Sequence, residues 1–267
     1  MRGIFVRVAE VMDKSFLFIY EEELATKARA VIRTYRIRIL PVVDYEKRLI
    51  GIICRRNIMA ITSSVSAIRV KGLMETPRFT ATIDMDAFFA AKQMIHLDEW
   101  YVPVVETLEN RLYNGMLGLE NFLEYFMKID SPRLSKPLSD VMSSEIVTCS
   151  PEDEIDNVWR LMQEKAFAGL PVLKKGKLVG IVTQKDFLDS GTVLPTFESK
   201  KGRYKSPSKI SVIMKTPVLS LKPSNTIRQA IRIMLDKNIG RIPITNEKNI
   251  IVGIVDREDL IRILLPV

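Results

Sequence analysis

The chain has 267 residues, of which 47% are hydrophobic and 27% charged. That balance supports a substantial buried core and excludes wholesale disorder or a disulfide-stapled mini-protein. Lys and Arg number 40 against 32 Asp and Glu, leaving a formal charge of +8; the positive field favours phosphates, nucleic acid or an acidic partner without choosing among them.

Cys54 and Cys149 are the two cysteines and His96 is the single histidine, so a disulfide framework is excluded and a multi-histidine zinc site or a Ser-His-Asp triad has almost nothing to work with. No apolar run reaches the roughly 18 residues of a membrane span. The expected location is the cytoplasm, without export or membrane insertion, and any catalysis would have to run on carboxylates or lysines.

Read in chain order, the sequence repeats itself four times. The segments open with Val11-Met12, Leu73-Met74, Val141-Met142 and Ile213-Met214, and each Met is followed 29 residues later by a Pro in an apolar run, at Pro41, Pro103, Pro171 and Pro243. Beyond each Pro a Gly enters a second apolar run, at Gly51, Gly115, Gly180 and Gly253. A second Met recurs inside three of the repeats, at Met94, Met162 and Met234, at helical spacing with other apolar residues, and reads as core. Such a period marks one supersecondary unit used repeatedly.

The third repeat shows the unit best. A short strand is expected around Ile146 to Cys149. Ser150, Pro151 and Asp153 then read as N-cap, first-turn proline and capping-box acid of a helix carrying Ile155, Val158, Trp159, Met162 and Ala166. Gly169 reads as the helix-ending loop. Leu170 to Leu173 and Leu178 to Val182 form a hairpin, and Thr183-Gln184-Lys185-Asp186 opens a second helix. The fold class is therefore α+β, built of β-α-β-β-α units. A small sheet with helices on one face cannot cover its own apolar surface, so repeats must pack in pairs.

Linker composition sets the pairing. The Ser- and Pro-containing stretch from Asp130 to Pro137 separates two halves, giving repeats over 1–66, 67–130, 135–190 and 210–267. A basic insert at 191–209 holds Lys200, Lys201, Arg203, Lys205 and Lys209.

The order apolar-Met, helix, apolar-Pro-Val, hairpin, Gly180-Ile-Val-Thr183-Gln-Lys-Asp186 resembles the cystathionine-β-synthase (CBS) domain, present four times over nearly the whole chain. The resemblance implies paired domains, or Bateman modules, whose clefts bind adenosyl ligands. Two pairs in one chain are similar to the γ subunit of AMP-activated protein kinase and its archaeal stand-alone relatives. It leaves open whether the two modules form one disc-like pseudo-tetramer or a homodimer forms.

Family sites centre on Gly-x-x-Thr-x-x-Asp, where a helix-opening hydroxyl and amides meet phosphate and the Asp accepts from the ribose diol. The third repeat keeps this signature in Thr183 and Asp186; the fourth has Asp256 and Asp259, the first Cys54 and Asn57, and the second Gly118 and Asn121. The resemblance further implies Arg241, two residues before Pro243, as a phosphate ligand, and backbone around Thr148 and Ala168 as adenine contacts. The same Thr183 and Asp186 also read as an ordinary capping box.

The leading expectation is a non-enzymatic regulatory sensor, without a catalytic cofactor or metal. It would bind AMP, ADP or ATP between the third and fourth repeats and act on a regulated protein. Asp256 instead suits a sulfonium ligand such as S-adenosylmethionine. A rival from another class is a nucleic-acid-associated protein using the basic insert and Arg29, Arg33, Arg36 and Arg38 as a phosphate-binding face.

Overall fold

The repeated pattern becomes a repeated βαββα unit. The structure, a computed structural model, describes residues 5–59, 67–165, 167–190 and 208–266. The first repeat holds α1 (Val8–Val11), β1 (Ile19–Tyr20), α2 (Ala25–Thr34), β2 (Ile39–Val43), β3 (Leu49–Cys54) and α3 (Arg55–Met59). The second holds β4 (Ala81–Thr82), α4 (Ala87–His96), β5 (Tyr101–Val105), β6 (Tyr113–Gly118) and α5 (Leu119–Lys128). The third holds α6 (Ile155–Glu164), β7 (Gly169–Lys174), β8 (Lys177–Thr183) and α7 (Gln184–Ser190). The fourth holds α8 (Ile227–Asp236), β9 (Arg241–Thr245), β10 (Ile251–Asp256) and α9 (Arg257–Leu264).

The hairpin register explains the spacing of Pro and Gly. In each repeat the residue after the Pro stands opposite the Gly, as Val42–Gly51, Val104–Gly115, Val172–Gly180 and Ile244–Gly253. The β7–β8 connection is Lys175-Gly176, both with positive φ (51° and 75°), the backbone of a type I′ turn whose twist matches its strands. The first two sheets have three strands, ordered β1-β2-β3 and β4-β5-β6. In the third and fourth repeats the leading strand shrinks to one parallel bridge, Cys149 to Val172 and Leu221 to Ile244. The strand expected at Ile146 to Cys149 thus survives as a single pairing, with the Cys149 amide donating to the Pro171 carbonyl at 3.1 Å.

Two local expectations are corrected. Ser150 and Asp153 cap a turn rather than a helix: the Ser150 amide donates to Asp153 at 2.8 Å, and α6 begins later, at Ile155. Gly169 does not end the helix but opens β7. The corresponding helices α2, α4 and α8 are followed by left-handed Arg36, Asp98 and Asn238 (φ 56°, 55° and 48°), a conformation that Asn and Asp tolerate better than most residues. Ala166, read as part of the α6 stripe, lies outside the described residues. Met94, Met162 and Met234 are fully buried, as core methionines should be.

The chain divides into two compact units, Met1–Pro132 with Leu260–Val267, and Arg133–Asp259. Within each unit the paired repeats exchange their opening segments. In the second unit Met142 packs on Gly253 and Met214 on Gly180; a Cβ on either glycine would lie 2.5 Å and 3.0 Å from the respective sulfur. In the first unit Met74 covers Gly51, and the backbone of Asp13, just after Met12, covers Gly115. The residue after each opening Met also bridges the partner hairpin: Asp13 to Met116, Glu75 to Ile52, Ser143 to Ile254 and Lys215 to Ile181.

The exchange reaches the helices as well. The first amides of α2, α4 and α8 donate to Ile68, Val6 and Lys136 of the partner repeat, and that of α6 to Ser208, two residues before the fourth repeat, at 2.7 to 3.0 Å, satisfying donors that a helix start leaves open. Ile210 and Ile213, which open the fourth repeat, are buried in the core of the third beside Val158, Met162 and Phe187. A single repeat would therefore lack both part of its core and one helix cap.

Candidate functional site

The second helix of every repeat starts with one and the same bond. A backbone amide at the strand end donates to a side-chain oxygen three residues on: Cys54 to Asn57 at 2.7 Å, Gly118 to Asn121 at 2.8 Å, Thr183 to Asp186 at 2.8 Å and Asp256 to Asp259 at 2.8 Å. Behind it, the first amide of the helix donates to the loop after the preceding helix. Arg55, Leu119, Gln184 and Arg257 reach the carbonyls of Arg38, Trp100, Ala168 and Gly240 at 3.0 to 3.2 Å. Four frames of equal geometry thus carry four different chemistries.

In the third repeat the Thr183 hydroxyl adds a second bond to Asp186, at 2.6 Å, so both donors converge on Oδ2 of a carboxylate whose residue is only 5% exposed. Asp186 Oδ1 faces Lys215 of the fourth repeat, with Nζ at 3.6 Å. Arg241 extends from β9, and its Nη1 donates to the Gly169 carbonyl at 3.0 Å. Gly169 pairs with Thr183 in register, and a Cβ on Gly169 would lie 3.0 Å from Thr183 Cγ2 and 3.5 Å from Arg241 Cδ. One hydroxyl, one buried carboxylate and two cations therefore gather at one end of β8.

The other residues read from the sequence fall around this end. Ala168 precedes β7, with its carbonyl held by the Gln184 amide at 3.1 Å. Thr148 is half-buried just before the Cys149 bridge, across β7 from β8. Asp259 belongs to the matching end of β10. Asp256 Oδ1 accepts from the Glu258 and Asp259 amides at 2.9 and 3.2 Å, so the two aspartates cap α9 reciprocally. Arg241 pairs with Asp256 in the β9–β10 ladder, so its backbone stands at the fourth-repeat end while its side chain reaches the third.

Lys215 was not among the residues singled out from the sequence. Its signal is positional, since the residue after each opening Met faces the partner's helix start. Lys215 stands there for the third repeat. Glu75 does so for the first, 3.5 Å from Cys54 Sγ, while Asp13 and Ser143 occupy the position for the second and fourth. Burial pushes the Cys149 thiol up to about 12, reinforced by Asp153, so it is an inert core thiol. His96 ends α4 as an exposed residue.

The basic surfaces resolve less. Lys200, Lys201, Arg203 and Lys205 lie outside the described residues, whereas Lys209 forms an ion pair with Glu152. In the arginine set, the Arg38 guanidinium lies 4.6 Å from the Trp100 ring centroid, a cation–π contact at a half-buried position. No helix among the described residues is long and apolar enough to cross a membrane.

With this geometry in place, comparison with known proteins is informative. The family model described as CBS domain matches residues 8–63, 138–191 and 210–266. Residues 81–128, between the first two matches, carry the same element order. The uncharacterized protein MJ1225 of Methanocaldococcus jannaschii is 25% identical over 97% of this chain and 99% of its own length. Its crystal structure, described as that of a candidate archaeal homologue of g-AMPK, superposes with a TM-score of 0.80 at 22% identity, covering 96% of this chain and 99% of that one. An uncharacterized conserved protein from Pyrococcus horikoshii gives 0.68 at 20% identity over 97% of this chain and 100% of that one. These superpositions establish a shared fold along both units.

Proposed function

The chain belongs to the CBS domain family, and from that premise we propose that it is a regulatory ligand sensor whose second module binds an adenine nucleotide between the third and fourth repeats. The observation that supports this reading is the convergence of Thr183, the buried Asp186, Lys215 and Arg241 at one strand end. A carboxylate with one oxygen fixed by its own helix start offers the other to a ribose diol. A diol at Oδ1 displaces the Lys215 ammonium from its 3.6 Å contact and leaves that charge, together with Arg241, to the phosphate. Adenine then lies toward Ala168 and Thr148.

Asp259 serves mainly to cap α9, because its Oδ2 holds the Asp256 amide and Asp256 holds two amides in return. That reciprocity commits both carboxylates to amides at the helix start, which favours a capping role over a sulfonium site in the fourth repeat. The repeat boundaries 1–66, 67–130, 135–190 and 210–267 are the division we propose, with each opening segment serving its partner. Binding shifts the population of a form that recognises the regulated protein, by as much as the ligand prefers that form.

The test is thermal unfolding with AMP, ADP, ATP, adenosine and S-adenosylmethionine. At about a hundredfold excess over its dissociation constant the right ligand adds about 2.7 kcal/mol. The phosphate-bearing compounds should outrank adenosine, and the ranking should flatten in Lys215→Ala and Arg241→Gln. An unchanged melting point with every compound refutes the reading.

A further inference from the structure

The turn between β7 and β8 works against the stability of its own hairpin. Lys174 and Lys177 stand directly opposite each other in the ladder, a like-charge pair that destabilises a hairpin. Between them Lys175 takes a left-handed φ of 51°, where Asn or Asp before Gly176 would fit with less strain. All three lysines are exposed, and none forms an ion pair among the described residues. Lys177 opens β8 and Thr183 ends it, so about 20 Å of strand separates this turn from the helix start at Asp186.

The other three hairpins tie their turns with an acceptor side chain. Asp44 Oδ1 accepts the Arg48 amide at 2.8 Å and its Oδ2 accepts Arg48 Nε at 2.7 Å. Asn110 Oδ1 accepts the Leu112 amide at 3.0 Å, and Asn246 Oδ1 accepts the Lys248 and Ile250 amides, both at 3.0 Å. The third turn has no such side chain and carries cations instead. Local conflicts that the fold does not require mark surfaces retained for use.

The fourth-repeat turn lies against it. The Leu178 amide donates to the Asn249 carbonyl at 3.3 Å, and Asn249 Nδ2 donates to the Leu178 carbonyl at 3.0 Å. That turn adds the exposed Lys248 and an aliphatic spot, Ile250, which is 43% exposed. Glu247, the one acid of the two turns, is met by Lys222 at 3.9 Å. Glu152 feels Lys174 only as a smaller influence, because it is paired with Lys209.

We propose that these two turns dock an acidic segment of a partner protein, with its carboxylates on Lys174, Lys175, Lys177 and Lys248 and an apolar side chain on Ile250. Lysines present point charges rather than the planar forks that grip phosphates in pairs. The exposed aromatics among the described residues, Phe5, Tyr35, Tyr45 and Phe89, all belong to the first unit, so bases find no stacking platform at these turns. Four charges also neutralise too few phosphates for strong backbone binding.

Fluorescence anisotropy of the full chain without nucleotide, using a labelled peptide of glutamates interrupted by leucines, reads the docking. Affinity should fall tenfold or more in the double substitution Lys174→Gln/Lys177→Gln, folded by circular dichroism, because the charges facing the carboxylates are removed. It should fall also in Ile250→Thr and hold in Arg33→Gln/Arg36→Gln, which removes equal charge from the first module. Lys175→Asn supplies the residue that the turn backbone prefers, so it should raise the melting temperature while weakening the peptide. The proposal is overturned if the wild-type chain does not bind the peptide, if the lysine pair can be removed without loss, or if the first-module substitutions weaken binding as much. It is overturned too if Lys175→Asn lowers stability and affinity together, or if a single-stranded or duplex oligonucleotide binds more tightly than the peptide through the same lysines.

Discussion

Replacing Asp186 by Asn separates the structural and ligand-binding roles of that side chain, and the chain carries its own control. Asn57 and Asn121 make the same cap in the first two repeats, at 2.7 and 2.8 Å, against 2.8 Å for Asp186. Asn at position 186 therefore keeps an acceptor for the Thr183 amide and hydroxyl, and the helix start should survive. Loss of charge costs the cap the difference between a charge-assisted and a neutral hydrogen bond, about 1 kcal/mol. Two ribose hydroxyls donating to the same group lose about that much each, so nucleotide binding should weaken by about 2 kcal/mol, roughly thirtyfold. Urea unfolding and calorimetric titration with AMP read the two quantities on one preparation. A variant of near wild-type stability that binds AMP as tightly as the parent would refute the assignment of Asp186 to the diol and leave it as a cap alone.

Other outcomes follow from the same geometry. Gly115→Ala should destabilise the first module by several kcal/mol, because its φ of 151° disfavours a side chain and the new Cβ would strike the Asp13 carbonyl, which is backbone and cannot swing aside; chemical denaturation with an unchanged midpoint would contradict the exchanged-segment packing. Gly253→Ala, whose new Cβ would meet the flexible Met142 side chain, should cost less than Gly115→Ala, and combining it with Met142→Ala should recover part of the loss. Cys149 should resist thiol reagents in the native state. Because its thiol is raised from an ordinary value near 9 to about 12, the folded state keeps a proton that the unfolded state releases, so stability should fall as pH rises through that window, with a slope approaching about 1.4 kcal/mol per unit. Cys149→Ser should remove that contribution, leaving the one of the same sign from Tyr113, whose phenol burial also pushes up.

The repeat and its pairing were legible because they are written in spacing. Pro and Gly recur where one strand residue must face another across a hairpin, and a register of that kind is visible in a linear sequence. The exchange of opening segments was not legible, since nothing local in Met214-Lys215 states that the next residue after a core-like Met will face another repeat's helix start. Ser150 and Asp153 misled for a related reason. They form a real turn, in which Asp153 accepts the Ser150 amide and the Ser150 hydroxyl accepts the Glu152 amide, but the first α6 amide already has a partner in Ser208, so the helix needs no local cap and begins at Ile155. Thr183 and Asp186 were found from their motif, and the motif alone could not tell that Asp186 is 5% exposed with one oxygen committed to the cap and the other turned toward a lysine.

A crystal structure of the full chain grown with AMP measures the central claim most directly. The account predicts the ribose hydroxyls within hydrogen-bond distance of Asp186 Oδ1, Lys215 turned from that oxygen to the phosphate, and Arg241 on the same phosphate. AMP bound elsewhere, or the Lys215–Asp186 pair intact with nucleotide absent from the end of β8, would contradict it.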